Sequence, residues 1–166
     1  MSLTTAQLQT LKAAIVADSA LNSQPMNSDG AFTIALELNK TATPDFIVWR
    51  SSVAVQEIMQ NGFDWTRVDN MVVGKARIWE FMTAVGILNP AQANVRAGIN
   101  EAFPTAANDA MRLAIFGHCQ RLASRFEELF ATGAGTTTTN AGLNPATMAL
   151  EGPLQYPDVE AARSQP

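Results

Sequence analysis

His118 and Cys119 are neighbours, and the chain contains no other histidine or cysteine. Nucleophilic catalysis would require their side chains within about 3 Å of each other. Neighbours on a helix point in different directions, so a direct thiol–imidazole pair is not expected on the helix predicted here. We predict that Cys119 is a small buried apolar residue and that His118 lies at the boundary of the core. One cysteine also excludes an intramolecular disulfide, and the pair excludes the usual structural zinc sets.

Two pairs of acidic residues have types suited to acid–base chemistry or to binding a cation. Asp64 and Asp69 flank a short segment that contains Arg67, which favours helix caps and an ion pair. Glu127 and Glu128 are predicted to lie on a solvated helix face. No glycine-rich phosphate loop and no nucleophile elbow is present. The sequence therefore predicts no catalytic residue, no cofactor and no metal site, and the chain is not expected to be an enzyme.

The composition predicts a folded domain with few charges. Of 166 residues, 47% are hydrophobic and 16% are charged, with a formal net charge of −4. Typical globular chains carry about 25% charged residues. Disorder of the whole chain and broad nucleic-acid binding are therefore not expected. The sequence shows no signal peptide and no apolar run of about 18 residues, so we expect synthesis in a cytoplasm and no membrane contact.

Helical spacing and capping residues predict an all-α fold, a compact multi-helix bundle over residues 1–132. The predicted helices run from about 5 to 17, from Ser28 onward, from Asp69 or Asn70 to Val85, from about Asn89 to Phe103, and from about 107 to 132. Residues 46–60 are ambiguous, because Ile47–Trp49 has the composition of a short strand. Two short helices broken near Ser51 are the favoured interpretation. Thr43-Pro44-Asp45 has the composition of a helix start.

Residues 133–166 differ in composition from the rest of the chain. They contain four consecutive threonines and four prolines, and no helical stripe is visible. Residues 147–151 alternate weakly and are predicted to form at most one short strand. The segment is either disordered or an extended arm that becomes ordered on another molecule. The arm is favoured because a linker would not carry these apolar side chains: Leu143, Met148, Leu150, Leu154 and Tyr156.

The three tryptophans each have an arginine close in sequence. Trp49 and Trp79 are predicted to be core residues, whereas Trp65 lies in a predicted turn. Tryptophan and arginine are enriched at the energetic centres of protein interfaces. We therefore predict that Trp65, together with Phe63 and Arg67, contacts a partner.

Three stretches together resemble a family of small virion proteins from tailed bacteriophages. They are Asn-Gly-Phe-Asp-Trp-Thr-Arg-Val-Asp-Asn at 61–70, Gly-Lys-Ala-Arg-Ile-Trp-Glu at 74–80, and His-Cys-Gln-Arg-Leu-Ala at 118–123. Residues 129–154 also fit that pattern. The resemblance implies a structural protein, a head-to-tail connector (adaptor) that forms an oligomeric ring between the portal and the tail.

The resemblance also implies partners and a location. The arm would dock on neighbouring subunits or on the portal, other tail or neck proteins would be partners, and DNA would pass only as cargo. The chain would be made in the host cytoplasm and end in the neck of the virion. The alternatives are a capsid decoration protein, another tail or neck component, or a nonstructural assembly chaperone.

Overall fold

The fold is mixed α/β rather than all-α. A computed structural model describes residues 3–139 and 143–166. Of these residues, 53% are helical and 11% lie in strands, which form three small sheets. The prediction of an all-α bundle is therefore wrong. The prediction failed because the strands are only two or three residues long and pair with distant parts of the chain. Local hydrophobic periodicity does not reveal such pairing.

The elements alternate along the sequence. The helices are α1 (Thr5–Ala17), α2 (Ser19–Asn22), α3 (Ser28–Leu38), α4 (Val55–Ile58), α5 (Trp65–Asp69), α6 (Val73–Ala84), α7 (Ala93–Ala102), α8 (Asp109–His118), α9 (Arg125–Phe130) and α10 (Tyr156–Arg163). A 3-10 turn at Ala106–Asn108 precedes α8. The strands are β1 (Ile47–Trp49), β2 (Val53–Ala54), β3 (Ile87–Leu88), β4 (Gln120–Leu122), β5 (Ala131–Thr132) and β6 (Thr147–Met148).

Each sheet has two strands: β1 with β4, β2 with β3, and β5 with β6. In the second sheet the strands are antiparallel, and Val53 faces Leu88 while Ala54 faces Ile87. Residue 146 adds a parallel bridge to β1 at Val48. The Trp49 amide donates to the Ala146 carbonyl at 2.9 Å, and the Ala146 amide donates to the Ile47 carbonyl at 2.9 Å.

The chain divides into two compact units. Unit 1 comprises residues 3–46, 122–131 and 148–166, and unit 2 comprises residues 47–121, 132–139 and 143–147. The predicted division into a body (1–132) and an arm (133–166) therefore differs from these units, because residues 148–166 belong to the same unit as the amino-terminal helices.

Unit 1 is a helical cluster in which side chains cap the first turns of α1, α2, α3 and α9. Thr4 and Gln7 form a capping box at α1, as their spacing predicts. The Asn27 side chain caps α3, one residue before the predicted cap Ser28. The helices bury one apolar core, which consists of Leu3, Leu11, Ile15, Leu21, Ala31, Ile34, Ala35, Leu38, Phe126, Leu154, Val159 and Ala162.

The carboxyl-terminal segment is not an extended arm. Residues 156–163 form α10, which packs on α1 and α3. Val159, Ala162 and Leu154 are buried in the unit 1 core. The Leu154 amide donates to the Asn39 side-chain oxygen at 2.8 Å, and Asn39 donates back to the Leu154 carbonyl at 2.9 Å. The partner surface that this segment requires is thus supplied by the chain itself.

Unit 2 buries a second core around two tryptophans. Trp49 and Trp79 are 1% and 4% exposed, which confirms their predicted place in the core. The core residues are Trp49, Val53, Ile58, Trp79, Leu88, Ile99, Ala102, Phe103, Met111, Ile115, Phe116 and Cys119. Residues 47–49 form a strand, so the favoured interpretation of two short helices is wrong here, and no helix begins at the Thr43-Pro44-Asp45 signal.

The predicted helix over about 107–132 is wrong, because two helices and two short strands occupy this region. Helix α8 ends at His118, and residues 120–122 extend and pair with β1. The Arg50 amide donates to the Cys119 carbonyl at 2.9 Å, directly after the end of α8. Helix α9 then starts at a capping box between Ser124 and Glu127. Leu122, which lies in β4, is 46% exposed.

Candidate functional site

Trp65 begins helix α5 and exposes 57% of its surface. The Asp64 side chain caps this helix by accepting a hydrogen bond from the Thr66 amide at 3.0 Å. The same carboxylate lies 3.4 Å from Nε of Arg67. The predicted role of Asp64, a cap with an ion pair to Arg67, is therefore confirmed. These contacts fix the backbone beneath the exposed indole.

The indole of Trp65 is the outer end of an aromatic stack. Its ring centroid lies 4.8 Å from that of Phe63, edge to face. Phe63 stacks on Trp79 at 5.8 Å, and Trp79 meets Phe103 edge to face at 5.2 Å. Each such pair contributes about 0.5–1.5 kcal/mol beyond the area it buries. The stack links an exposed side chain to the unit 2 core, so Trp65 loses little conformational freedom when a partner covers it.

Helix α6 presents a second apolar surface in unit 2. Phe81, Val85 and Ile87 are 78%, 68% and 61% exposed, although the periodicity predicts that Val85 is buried. They lie along a groove of about 460 Å³ between α6, β3 and α7. Val72 and Val73, at the start of α6, are each 69% exposed. Exposed apolar side chains grouped in this way are typical of surfaces that bind another molecule.

The predicted residues of the carboxyl-terminal segment do not form one surface. Leu143 lies in unit 2, whereas Met148, Leu150, Leu154 and Tyr156 lie in unit 1. Leu154 is buried, and Leu150 packs against the unit 1 core. Tyr156 is 44% exposed and lines a cleft of about 200 Å³ together with residues of α3. Within this set, Tyr156 and Leu143 are the most accessible side chains.

The histidine and the cysteine are structural in their contacts. Cys119 is fully buried, which confirms the prediction, and burial raises the pKa of its thiol to about 12. Nε2 of His118 lies 3.5 Å from the Asn61 carbonyl oxygen. Nη1 of Arg50 donates to the His118 carbonyl at 3.0 Å and also binds the Glu57 carboxylate. These residues hold the end of α8 in place.

Cys119 is expected to be unreactive in the folded protein. Both its burial and its raised pKa suppress the thiolate, which is the nucleophile. We therefore expect a thiol reagent such as DTNB to react with Cys119 at least about a hundredfold more slowly in the folded protein than in the unfolded chain. Absorbance of the released chromophore with and without denaturant measures the ratio, and equal rates would contradict the burial.

The Arg50–Glu57 pair is expected to make stability depend on pH. The hydrogen bond that the Glu57 carboxylate accepts from Arg50 lowers the pKa of Glu57 below its ordinary value of 4.5. The contribution of the pair is therefore fully present above pH 4.5 and is lost as the pH falls toward the folded-state pKa. Glu57→Gln should lower the urea midpoint at neutral pH and lose less stability than the wild type on acidification. Parallel pH profiles of the two proteins would contradict this.

Glu127 is buried, so its predicted place on a solvated face is wrong. It is 4% exposed. One of its oxygens accepts from the Ser124 amide at 3.0 Å and the other from the Gly152 amide at 3.1 Å. Its carboxylate thereby satisfies backbone donors of two separate segments of unit 1. The spacing of Ser124 and Glu127 is that of a capping box, which is the sequence signal that identifies this role.

Within 3–139 and 143–166, no three or more His, Cys, Asp or Glu side chains are placed to hold a metal ion. None of the helices in that part of the chain is long and apolar enough to cross a membrane. Comparison with known proteins gave no match to a protein-family model, to a curated protein or to a solved structure.

Proposed function

We propose that this chain is a structural, non-enzymatic protein of a tailed-phage particle, a head-to-tail connector that forms an oligomeric ring between portal and tail. The observation that carries the proposal is Trp65, an exposed tryptophan supported by a stack of aromatic side chains. The proposal of a phage particle rests on a resemblance to small virion proteins, which covers residues 61–70, 74–80 and 118–123. The chain is made in the host cytoplasm and functions in the neck of the virion.

Trp65 has the properties of an interface anchor. Residues that dominate binding energy are enriched in tryptophan and arginine, and each costs about 2 kcal/mol or more when truncated. Arg67, two residues along, keeps 45% of its side chain exposed while it contacts Asp64. A partner that covers the indole would also meet this guanidinium. The proposed contact with a neighbouring subunit, the portal or a tail protein is therefore centred on α5.

The carboxyl-terminal segment has no part in the proposed contact. Leu154 and α10 complete the core of unit 1, so releasing them would expose that core to water. Trp65, by contrast, is exposed in the folded chain. The net charge of −4 fits a component that DNA passes without binding, because like charges repel phosphates.

Incorporation into particles tests the proposal. In a phage whose own copy of the gene is disabled, the wild-type chain and the Trp65→Ala variant are supplied from a plasmid. We expect at least about a tenfold loss of the variant from purified particles, the effect of removing one dominant interface residue. Phe32→Ala is the matched control, because Phe32 is a 54% exposed aromatic residue of unit 1. It should be incorporated normally.

Each outcome decides the proposal. Circular dichroism melts of both purified variants establish that they are folded before incorporation is compared. Normal incorporation of folded Trp65→Ala would overturn the proposed contact, as would an equal loss of both variants.

A further inference from the structure

Helix α6 has an outer surface that its own unit leaves uncovered. Among its twelve residues, Trp79 alone is buried. On its inner side α6 packs closely on α7, where Met82 lies against Gly98. The exposed positions 73, 77, 80, 81 and 84 recur three and four residues apart, which places them on one side of the helix. This α6 face comprises Val73, Arg77, Glu80, Phe81 and Ala84.

The α6 face is complementary to itself. When two copies of the helix lie antiparallel, with a two-fold axis between positions 78 and 79, four residues at the centre of the face oppose one another. The opposed pairs are Val73 with Ala84 and Arg77 with Glu80. Apolar residues therefore oppose apolar residues, and opposite charges oppose each other.

The charges at the centre of the face agree with this register, and Phe81, which is 78% exposed, lies at its edge. Arg77 and Glu80 are exposed, and neither forms an ion pair within the described part of the chain. In the antiparallel pair they form two symmetric ion pairs beside the axis.

We propose that the α6 face binds the α6 face of a second copy of this chain, antiparallel, about a two-fold axis between positions 78 and 79. A two-fold contact of this kind is isologous, so each copy contributes the same residues. It is complete with two copies and does not propagate into a ring. The contact is therefore separate from the one proposed for Trp65, and neither proposal depends on the other.

Charge reversal tests whether the partner is a second copy of the chain and whether the two helices pair in the proposed register. The full chain is studied by sedimentation equilibrium over a range of concentrations. Arg77→Glu and Glu80→Arg each place like charges opposite one another in the symmetric pair, so each variant alone should dimerise at least about tenfold more weakly than the wild type. Asp45→Arg is the control for net charge. It makes the same charge change as Glu80→Arg at an exposed position of unit 1, and it should dimerise like the wild type.

Mixing the two reversal variants gives the decisive result. In a mixed dimer, position 77 of each copy again opposes a charge of opposite sign at position 80 of the other. Equimolar Arg77→Glu and Glu80→Arg should therefore form a dimer of wild-type strength, and the double variant R77E/E80R should do so by itself. A wild-type chain that stays monomeric would overturn the proposal. So would single variants that dimerise normally, or a mixture that fails to associate.

Discussion

Replacing Trp79 by alanine is expected to lower the free energy of unfolding by about 3–5 kcal/mol, the usual cost of deleting a large aromatic core side chain. Trp79 is 4% exposed, and its ring lies between those of Phe63 and Phe103. Its removal leaves a cavity and also removes the support beneath Phe63. Loss of this magnitude is a large fraction of the 5–15 kcal/mol that stabilises a typical domain.

Trp65 provides the matched comparison for Trp79, because both indoles contact Phe63. Trp65→Ala removes one edge-to-face contact and no core volume, so it should cost less than about 1.5 kcal/mol. Urea unfolding followed by far-ultraviolet circular dichroism compares the two variants without relying on tryptophan fluorescence. Equal losses of stability would contradict the assignment of Trp79 to the core and of Trp65 to a binding surface.

Gly30→Ala is expected to destabilise unit 1 although alanine is the better helix former. A Cβ atom at position 30 would lie 2.1 Å from the Pro25 carbonyl oxygen. That carbonyl is fixed, because Nη1 of Arg163 donates to it at 2.7 Å. The gain of about 1 kcal/mol in helix propensity is therefore outweighed by overpacking, which typically costs about 1–3 kcal/mol and more where backbone must move. We expect a net loss of about 2 kcal/mol.

Gly117→Ala is the control for Gly30→Ala. Gly117 also lies in a helix, but a Cβ atom there would meet nothing within 4 Å. This substitution should stabilise the protein by about 0.5–1 kcal/mol, the ordinary difference between glycine and alanine in a helix. Thermal melts of both variants give the comparison. A Gly30→Ala variant that is stabilised like Gly117→Ala would show that residues 25 and 30 are not in close contact.

Local signals were sufficient to predict several elements of the fold and one part of the candidate site. The capping box of Thr4 and Gln7 locates α1, and Asp64 forms the predicted cap and ion pair with Arg67. Trp65 begins a short helix rather than the predicted turn. Burial of Trp49 and Trp79 and exposure of Trp65 also agree with prediction. In each case the determining interactions lie within a few residues in sequence.

Long-range pairing explains the main errors. Residues 120–122 continue the apolar periodicity of α8, but their pairing with β1, some seventy residues earlier, makes them a strand. Helix α10 has only a short apolar stripe, and Pro157, Asp158 and Arg163 were the available signals of its ends. Its packing on α1 and α3 stabilises it, and no local pattern reveals that packing.

The outer surface of α6 was missed for a different reason. The helix is apolar on two sides, and the periodicity of Met71, Ile78, Met82 and Val85 suggested one buried stripe. Val85 and Phe81 are exposed instead. A helix with apolar residues on both sides is consistent with one surface for the core and another for a partner, which sequence periodicity alone does not distinguish.

The proposed function makes this chain a component of a phage particle, and quantitative mass spectrometry of purified particles tests that proposal most directly. The number of copies of the chain is measured relative to the portal protein and the major capsid protein. A connector that forms a ring on the portal predicts a copy number close to that of the portal. A copy number close to that of the capsid protein, or absence of the chain from the particles, would contradict the connector function.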